Sequence, residues 1–131
     1  MATTFSCALT LLLLFPSVAR AHSGRDLAVY LNAQHTLPST VYVFDERIGS
    51  AVFYLRPLRR HQLRRDQIAG VDLGELRLAS QWVADDDVVA VRRSQLPRVA
   101  RALNVADAAA VPAGTYVVFQ ARQLLQLPAP P

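Results

Sequence analysis

The sequence predicts a small α/β domain: a mixed, mostly parallel sheet of about four strands, flanked by helices and preceded by an N-terminal apolar helix. Three observations predict it. Short β-branched runs alternate with stretches whose apolar residues recur at helical spacing. Ser, Asp and Gly stand where those helical stretches begin, and Pro or Asn where they end. Apolar residues make up 52% of the 131 residues, which suits one packed core and excludes a disordered chain.

The elements follow in order. Residues 2–19, ATTFSCALTLLLLFPSVA, carry no charge. One reading is an export signal, because Ala19-x-Ala21 is a small-residue cleavage pattern. No charged side chain precedes the run, however, and Arg20 and Arg25 follow it, the wrong side for an exported tail. The second reading is the outer part of a transmembrane helix that begins upstream. Both put residues 22–131 outside the cytoplasm. A buried helix of a soluble protein is a weaker third, given the Leu11–Leu14 block. The expected organisation is an apolar helix at 1–21, an α/β domain at 22–124 and a proline-rich tail at 125–131.

Ser23-Gly24-Arg25-Asp26 has the S-x-x-D form of a helix start. Leu27, Tyr30 and Leu31 follow at i, i+3, i+4 and predict a helix over about 24–34. Thr40–Asp45, TVYVFD, is a strand buried on both faces. Gly49-Ser50 opens a short helix with Ser50 as N-cap. Pro57 ends it, since the residue before proline avoids helical angles. Leu58–Leu63, LRRHQL, suits either a short edge strand or a polar turn.

Asp72-Leu73-Gly74-Glu75 is a capping-box pattern, and its helix runs to about residue 84. Asp85–Asp87 is a turn and Val88–Val91 a short buried strand. Ser94 caps a further helix with Leu96, Val99, Ala100 and Leu103 at i, i+3, i+4, i+7; Asn104 ends it. Ala106–Val111 fits neither pattern. Pro112-Ala113-Gly114 is a turn, and Thr115–Ala121 is a last strand whose longer connection lets it run antiparallel.

Composition narrows the function. The net charge is +4, and all fourteen basic residues are arginine. That suits phosphate or carboxylate forks, or only a biased codon usage. Few aromatics interleave with the arginines, so nucleic acid is not an expected partner. The one cysteine, Cys7, lies in the apolar run, which excludes an internal disulfide. His22, His35 and His61 are scattered, so no metal site and no cofactor is expected.

Asp45-Glu46 ends the first strand, but adjacent residues there point opposite ways, so solvated acids pairing with Arg47 or Arg56 outweigh an acid–base pair. Gly49-Ser50 would suit a phosphate, yet no phosphate-loop pattern surrounds it. Asp85–Asp87 lacks the glycine and distant glutamate of a calcium loop. Ser50, Ser80 and Ser94 lack a nucleophile elbow. No catalytic residue is identified. Arg56, Arg59, Arg60, Arg64 and Arg65 form the densest charge cluster and are the candidate contacts for anionic lipid or phosphate. The plainer reading is a solvated face with Asp66 nearby.

One resemblance rests on ordered segments. TVYVFDERIGSAVFYLRP, then DDDVVAVRR, then GTYVVFQ resembles the extracytoplasmic C-terminal domain of bacterial membrane glycosyltransferases of the dolichyl-phosphate-mannose protein mannosyltransferase and aminoarabinose transferase type. The matching positions are Ser50, Phe53, Tyr54, Leu55 and Arg56, the VVAV strand, and Gly114, Tyr116 and Val118. The resemblance implies a membrane helix leading into a small α/β domain, with a membrane and a lipid-linked sugar phosphate as partners. Such enzymes keep their catalytic acid in early membrane helices that this sequence lacks, so no catalytic role carries over. A small secreted or periplasmic α/β binding protein is the alternative.

Overall fold

The computed structural model describes residues 23–45, 49–63, 67–79, 83–103, 105 and 109–125. The expected apolar helix at 1–21 and nearly all of the proline-rich tail lie outside them. Among the described residues, no helix is long and apolar enough to cross a membrane.

The chain runs α1 (Arg25–Ala33), β1 (Val41–Phe44), α2 (Gly49–Tyr54), α3 (Pro57–Gln62), β2 (Ile68–Val71), α4 (Leu73–Ala79), β3 (Val88–Arg92), α5 (Leu96–Ala102), β4 (Ala110–Ala113), β5 (Tyr116–Gln120) and α6 (Ala121–Leu125). The strands form one sheet in the order β2-β1-β3-β5-β4. β1 pairs parallel with β2 and β3, while β5 pairs antiparallel with β3 and β4. The sheet is therefore evenly mixed and five-stranded, where a mostly parallel sheet of four was expected.

Both missed strands are edges. β2, IAGV, and β4, AVPA, are four residues each and rich in small side chains. Pro112 is tolerated in β4 because an edge strand does not need every ladder donor. Gly114-Thr115 closes the β4–β5 hairpin with Ala113 opposite Tyr116. Gly114 stands at φ 63°, the positive angle that the first central position of a II′ turn requires.

The sheet is covered on both faces. Residues of β1, β3 and β5 alternate between two cores. Val41, Val43, Ala90, Tyr116 and Val118 pack with Leu27, Ala28 and Leu31 of α1 and with Ala51 and Leu55 around α2. Phe44, Val89, Val91 and Phe119 pack on the other face with Leu76 of α4, Val99 of α5 and Leu124 of α6. The β1–β2 crossover thus lies on one face and the β2–β3 crossover on the opposite one, as right-handed connections moving in opposite directions demand.

Several local expectations change. α2 ends at Tyr54 and Arg56 takes a non-helical ψ of 148°, the break expected before Pro57. Pro57 then sits in the first turn of a further helix, α3, with Arg56 as its N-cap. Its fixed φ is already helical and the lost N–H is one that no intrahelical acceptor needs. Leu58–Leu63 is accordingly helical, not an edge strand. Gly24, not Ser23, is the N-cap of α1, with no side-chain capping bond. Asp26 accepts a hydrogen bond from the Thr115 N–H instead (2.8 Å), tying α1 to the hairpin. Gln95, not Ser94, precedes α5, also with no side-chain cap. The Asp72–Glu75 box forms as expected: Glu75 N–H donates to Asp72 Oδ1 (2.8 Å) and Asp72 N–H to Glu75 Oε2 (2.9 Å).

Candidate functional site

The strongest candidate surface lies where α2 hands over to α3. α2 buries Ala51, and Leu55 just beyond it is buried as well, while Phe53 and Tyr54 turn outward. α3 presents Leu58 on the same stretch. Phe53 is 72% exposed and Leu58 70%, figures that burial in one core would not leave. The two rings meet edge to face, with centroids 5.4 Å apart.

Three arginines frame these side chains. Arg60 Nη2 donates to the Phe53 and Leu55 carbonyls (2.8 and 3.0 Å), satisfying acceptors that the end of α2 leaves open. Arg59 donates to the Gln34 carbonyl beyond α1 and to Gln62 Oε1. Arg56 is exposed; its backbone N–H donates to Asn32 Oδ1 (3.0 Å), while Asn32 Nδ2 donates to the Tyr54 carbonyl (3.3 Å). Asn32 thus fixes the turn from α1. Among the described residues, the Arg59 and Arg60 side chains meet carbonyls and an amide, and none of the three arginines pairs with a carboxylate. Arg64 and Arg65, the rest of the expected cluster, lie outside the described residues.

The start of α1 lies beside this surface. A Cβ on Gly24 would lie 2.6 Å from the Ala51 backbone nitrogen, so α1 begins in direct contact with α2. Ala51 and Tyr54 are one turn apart, roughly 5 Å along the helix axis.

A second candidate lies at the carboxyl ends of the parallel strands. β1 leaves toward one face and β3 toward the other, which opens a crevice between their ends. Asp45 stands there at φ 51°, a left-handed angle that aspartate tolerates better than most residues. Its carboxylate meets Arg98 Nη1 of α5 at 2.9 Å, and the same guanidinium lies 5.7 Å from the Phe44 ring centroid. Among the described residues the partner of Asp45 is therefore Arg98 and not Arg56. No sequence pattern marks Arg98, which stands 53 positions away. Glu46 and Arg47 lie outside the described residues.

The acid run resolves into three separate roles. Asp85 pairs with Arg122 of α6. Asp86 accepts from the Ser39 N–H and hydroxyl (3.0 and 2.8 Å). Asp87 is buried and accepts from the Ala84 N–H (2.8 Å). These acids face different neighbours, and no cluster of metal-ligating side chains occurs among the described residues. α2 begins at Gly49, so a helix starts here as expected, but Ser50 lies within its first turn and is not the N-cap.

Three phenols titrate above their ordinary range. Burial raises Tyr30. Burial raises Tyr42, Asp87 adds to it, and a hydrogen bond with Thr40 opposes it. Burial raises Tyr116 and the Asp26 charge adds a little, against the Arg92 guanidinium, which hydrogen-bonds Tyr116 and lies 5.3 Å from its ring centroid.

No family model, curated protein or solved structure matches the chain.

Proposed function

We propose that this chain is a non-catalytic, extracytoplasmic domain held against a membrane, related to the tail of glycosyltransferases that use polyprenyl-phosphate-linked sugars. The observation that carries the reading is the placement of Phe53, Tyr54 and Leu58. In the resemblance, Ser50–Arg56 is the signature turn. Here that turn directs Ala51 and Leu55 into the core and Phe53 and Tyr54 outward, on the helix that Gly24 touches at the start of α1. The order of elements also agrees with the resemblance: a helix, a strand ending in an acid, the aromatic turn, the VVAV strand and a closing strand after Gly114. On this reading the partners are the membrane and, in a complete transferase, a lipid-linked sugar phosphate.

The second reading, a small secreted or periplasmic binding protein, is favoured by Ala19-x-Ala21. Expression of the full chain in a bacterial host separates the two. Retention in the carbonate-washed membrane fraction, with the intact mass of residues 1–131, is the expected result. A soluble product beginning at His22 would overturn it. The purified chain is also expected to show no glycosyl transfer from a polyprenyl-phosphate sugar; turnover would sink the non-catalytic assignment.

A further inference from the structure

We infer that the surface formed by Phe53, Tyr54 and Leu58 with Arg56, Arg59 and Arg60 docks on a bilayer rich in anionic phospholipid. The inference deepens the membrane reading above by naming the face that meets the lipid and the headgroup charge it requires.

Apolar side chains exposed to this degree and rimmed by charge mark a surface that is covered in use. An aromatic pair and a leucine are the side chains that settle at the boundary between headgroups and acyl chains. Val29 of α1 is 59% exposed and one turn before Asn32, so it extends the patch along the neighbouring helix. The charge decides the partner. Donating to carbonyls fixes Arg59 and Arg60 without neutralising them, so with the exposed Arg56 this stretch carries three positive charges next to its apolar side chains. Phosphate headgroups complement those charges, taking the guanidinium N–H donors that the carbonyls leave open. A second copy of the chain would set the same three charges against each other across a two-fold interface. Gly24, at the start of α1, lies against Ala51 of α2, so the patch stands beside the beginning of the described chain.

The test uses the full chain with Cys7→Ser and Leu58→Cys, labelled at residue 58 with a polarity-sensitive dye. It is reconstituted with phosphatidylcholine vesicles, with or without phosphatidylglycerol. Dye emission is expected to shift to the blue only where phosphatidylglycerol is present, and to revert near 1 M salt, where the Debye length is about 3 Å. Arg56→Gln is expected to raise the half-saturating anionic lipid about fivefold. Phe53→Ser is expected to raise it about tenfold. Neither residue contributes its side chain to the core, and circular dichroism should be unchanged. Equal emission on neutral and anionic vesicles overturns the inference. So does a shift that follows protein concentration at fixed lipid, which would mean self-association. A chain retained in the membrane with an unshifted probe overturns docking alone. A chain released from membranes whose probe still shifts on added anionic vesicles overturns the anchoring reading and supports docking.

Discussion

The two faces of the sheet carry similar short helices but treat their charges differently. On the face of α4, α5 and α6, Arg98 pairs with Asp45 and Arg122 with Asp85, while Arg77 donates to the Ala102 carbonyl and Leu78 is exposed. On the face of α1, α2 and α3, Arg59 and Arg60 turn to backbone carbonyls, and Phe53, Leu58 and Val29 stay in solvent. Exposed ion pairs contribute little to stability, so the contrast concerns the surface each face presents more than the energy it holds. One face closes two of its positive charges with acids of the same chain. The other leaves positive charge around apolar side chains, the composition that an anionic partner would complete.

The comparison assumes that both faces hold a full core, and the largest effects test that. Leu31→Ala and Leu76→Ala each remove a fully buried side chain, one per face. Each is expected to cost about 2–5 kcal/mol in urea-denaturation experiments. A cost confined to one face would mean that the other is a loosely attached cover, and its exposed residues would lose their meaning as a designed surface.

Next in size is the seam that carries the apolar patch. Gly24→Ala places a methyl group 2.6–2.7 Å from Ala51 backbone and side-chain atoms. Backbone atoms cannot swing aside, so a loss of about 1–3 kcal/mol is expected. Greater amide exchange in α1 and α2 than in α4 would localise it to that face. A neutral substitution would show that α1 slides freely on α2, and that the chain's point of entry does not position the patch.

Much of this architecture was legible because β1, β3 and β5 are continuous apolar runs, as strands buried on both faces must be. The edges were not, because IAGV and AVPA combine small residues with a glycine or proline that reads as a turn. Pro57 was legible as the stop after α2 but not as the first turn of α3, since one residue type serves both roles. Asp26 looked like half of a capping box; its partner, the Thr115 N–H, lies 89 positions away and only the tertiary fold reveals it. The arginine cluster was visible from its density. The exposure of Phe53 and Tyr54 was not, since a VFYL run ordinarily signals a buried segment.

A smaller effect should appear at alkaline pH. Burial raises the Tyr116 phenol, and the Asp26 charge works the same way against the opposing Arg92. A raised folded-state value means that the neutral phenol is favoured in the fold. That stability is fully present below about pH 10, the unfolded value, and is lost as pH climbs through the folded one. Tyr30 and Tyr42 act in the same direction. Tyr116→Phe should flatten part of the alkaline fall in melting temperature. An unchanged slope would place that dependence elsewhere and weaken the view that the α1 face is sealed around Tyr116.

The smallest effect concerns the paired face itself. Asp45 and Arg98 are 46% and 63% exposed, so solvent screens their attraction. Arg98→Gln should cost less than about 1 kcal/mol, and the loss should vanish at high salt. Asp45 carries a second cost through its φ of 51°. Asp45→Gly relieves that angle but frees the unfolded chain, whereas Asp45→Ala keeps the strained angle and loses the pair. The glycine variant should therefore be the more stable by about 0.5–1 kcal/mol. If the alanine variant proves equal, the left-handed angle costs nothing. If Arg98→Gln remains destabilising in high salt, the pair is a fixed strut across the crevice between β1 and β3. The contrast between faces would then be one of rigidity as well as charge, with a braced strand-end crevice on one side and an apolar, cationic surface on the other.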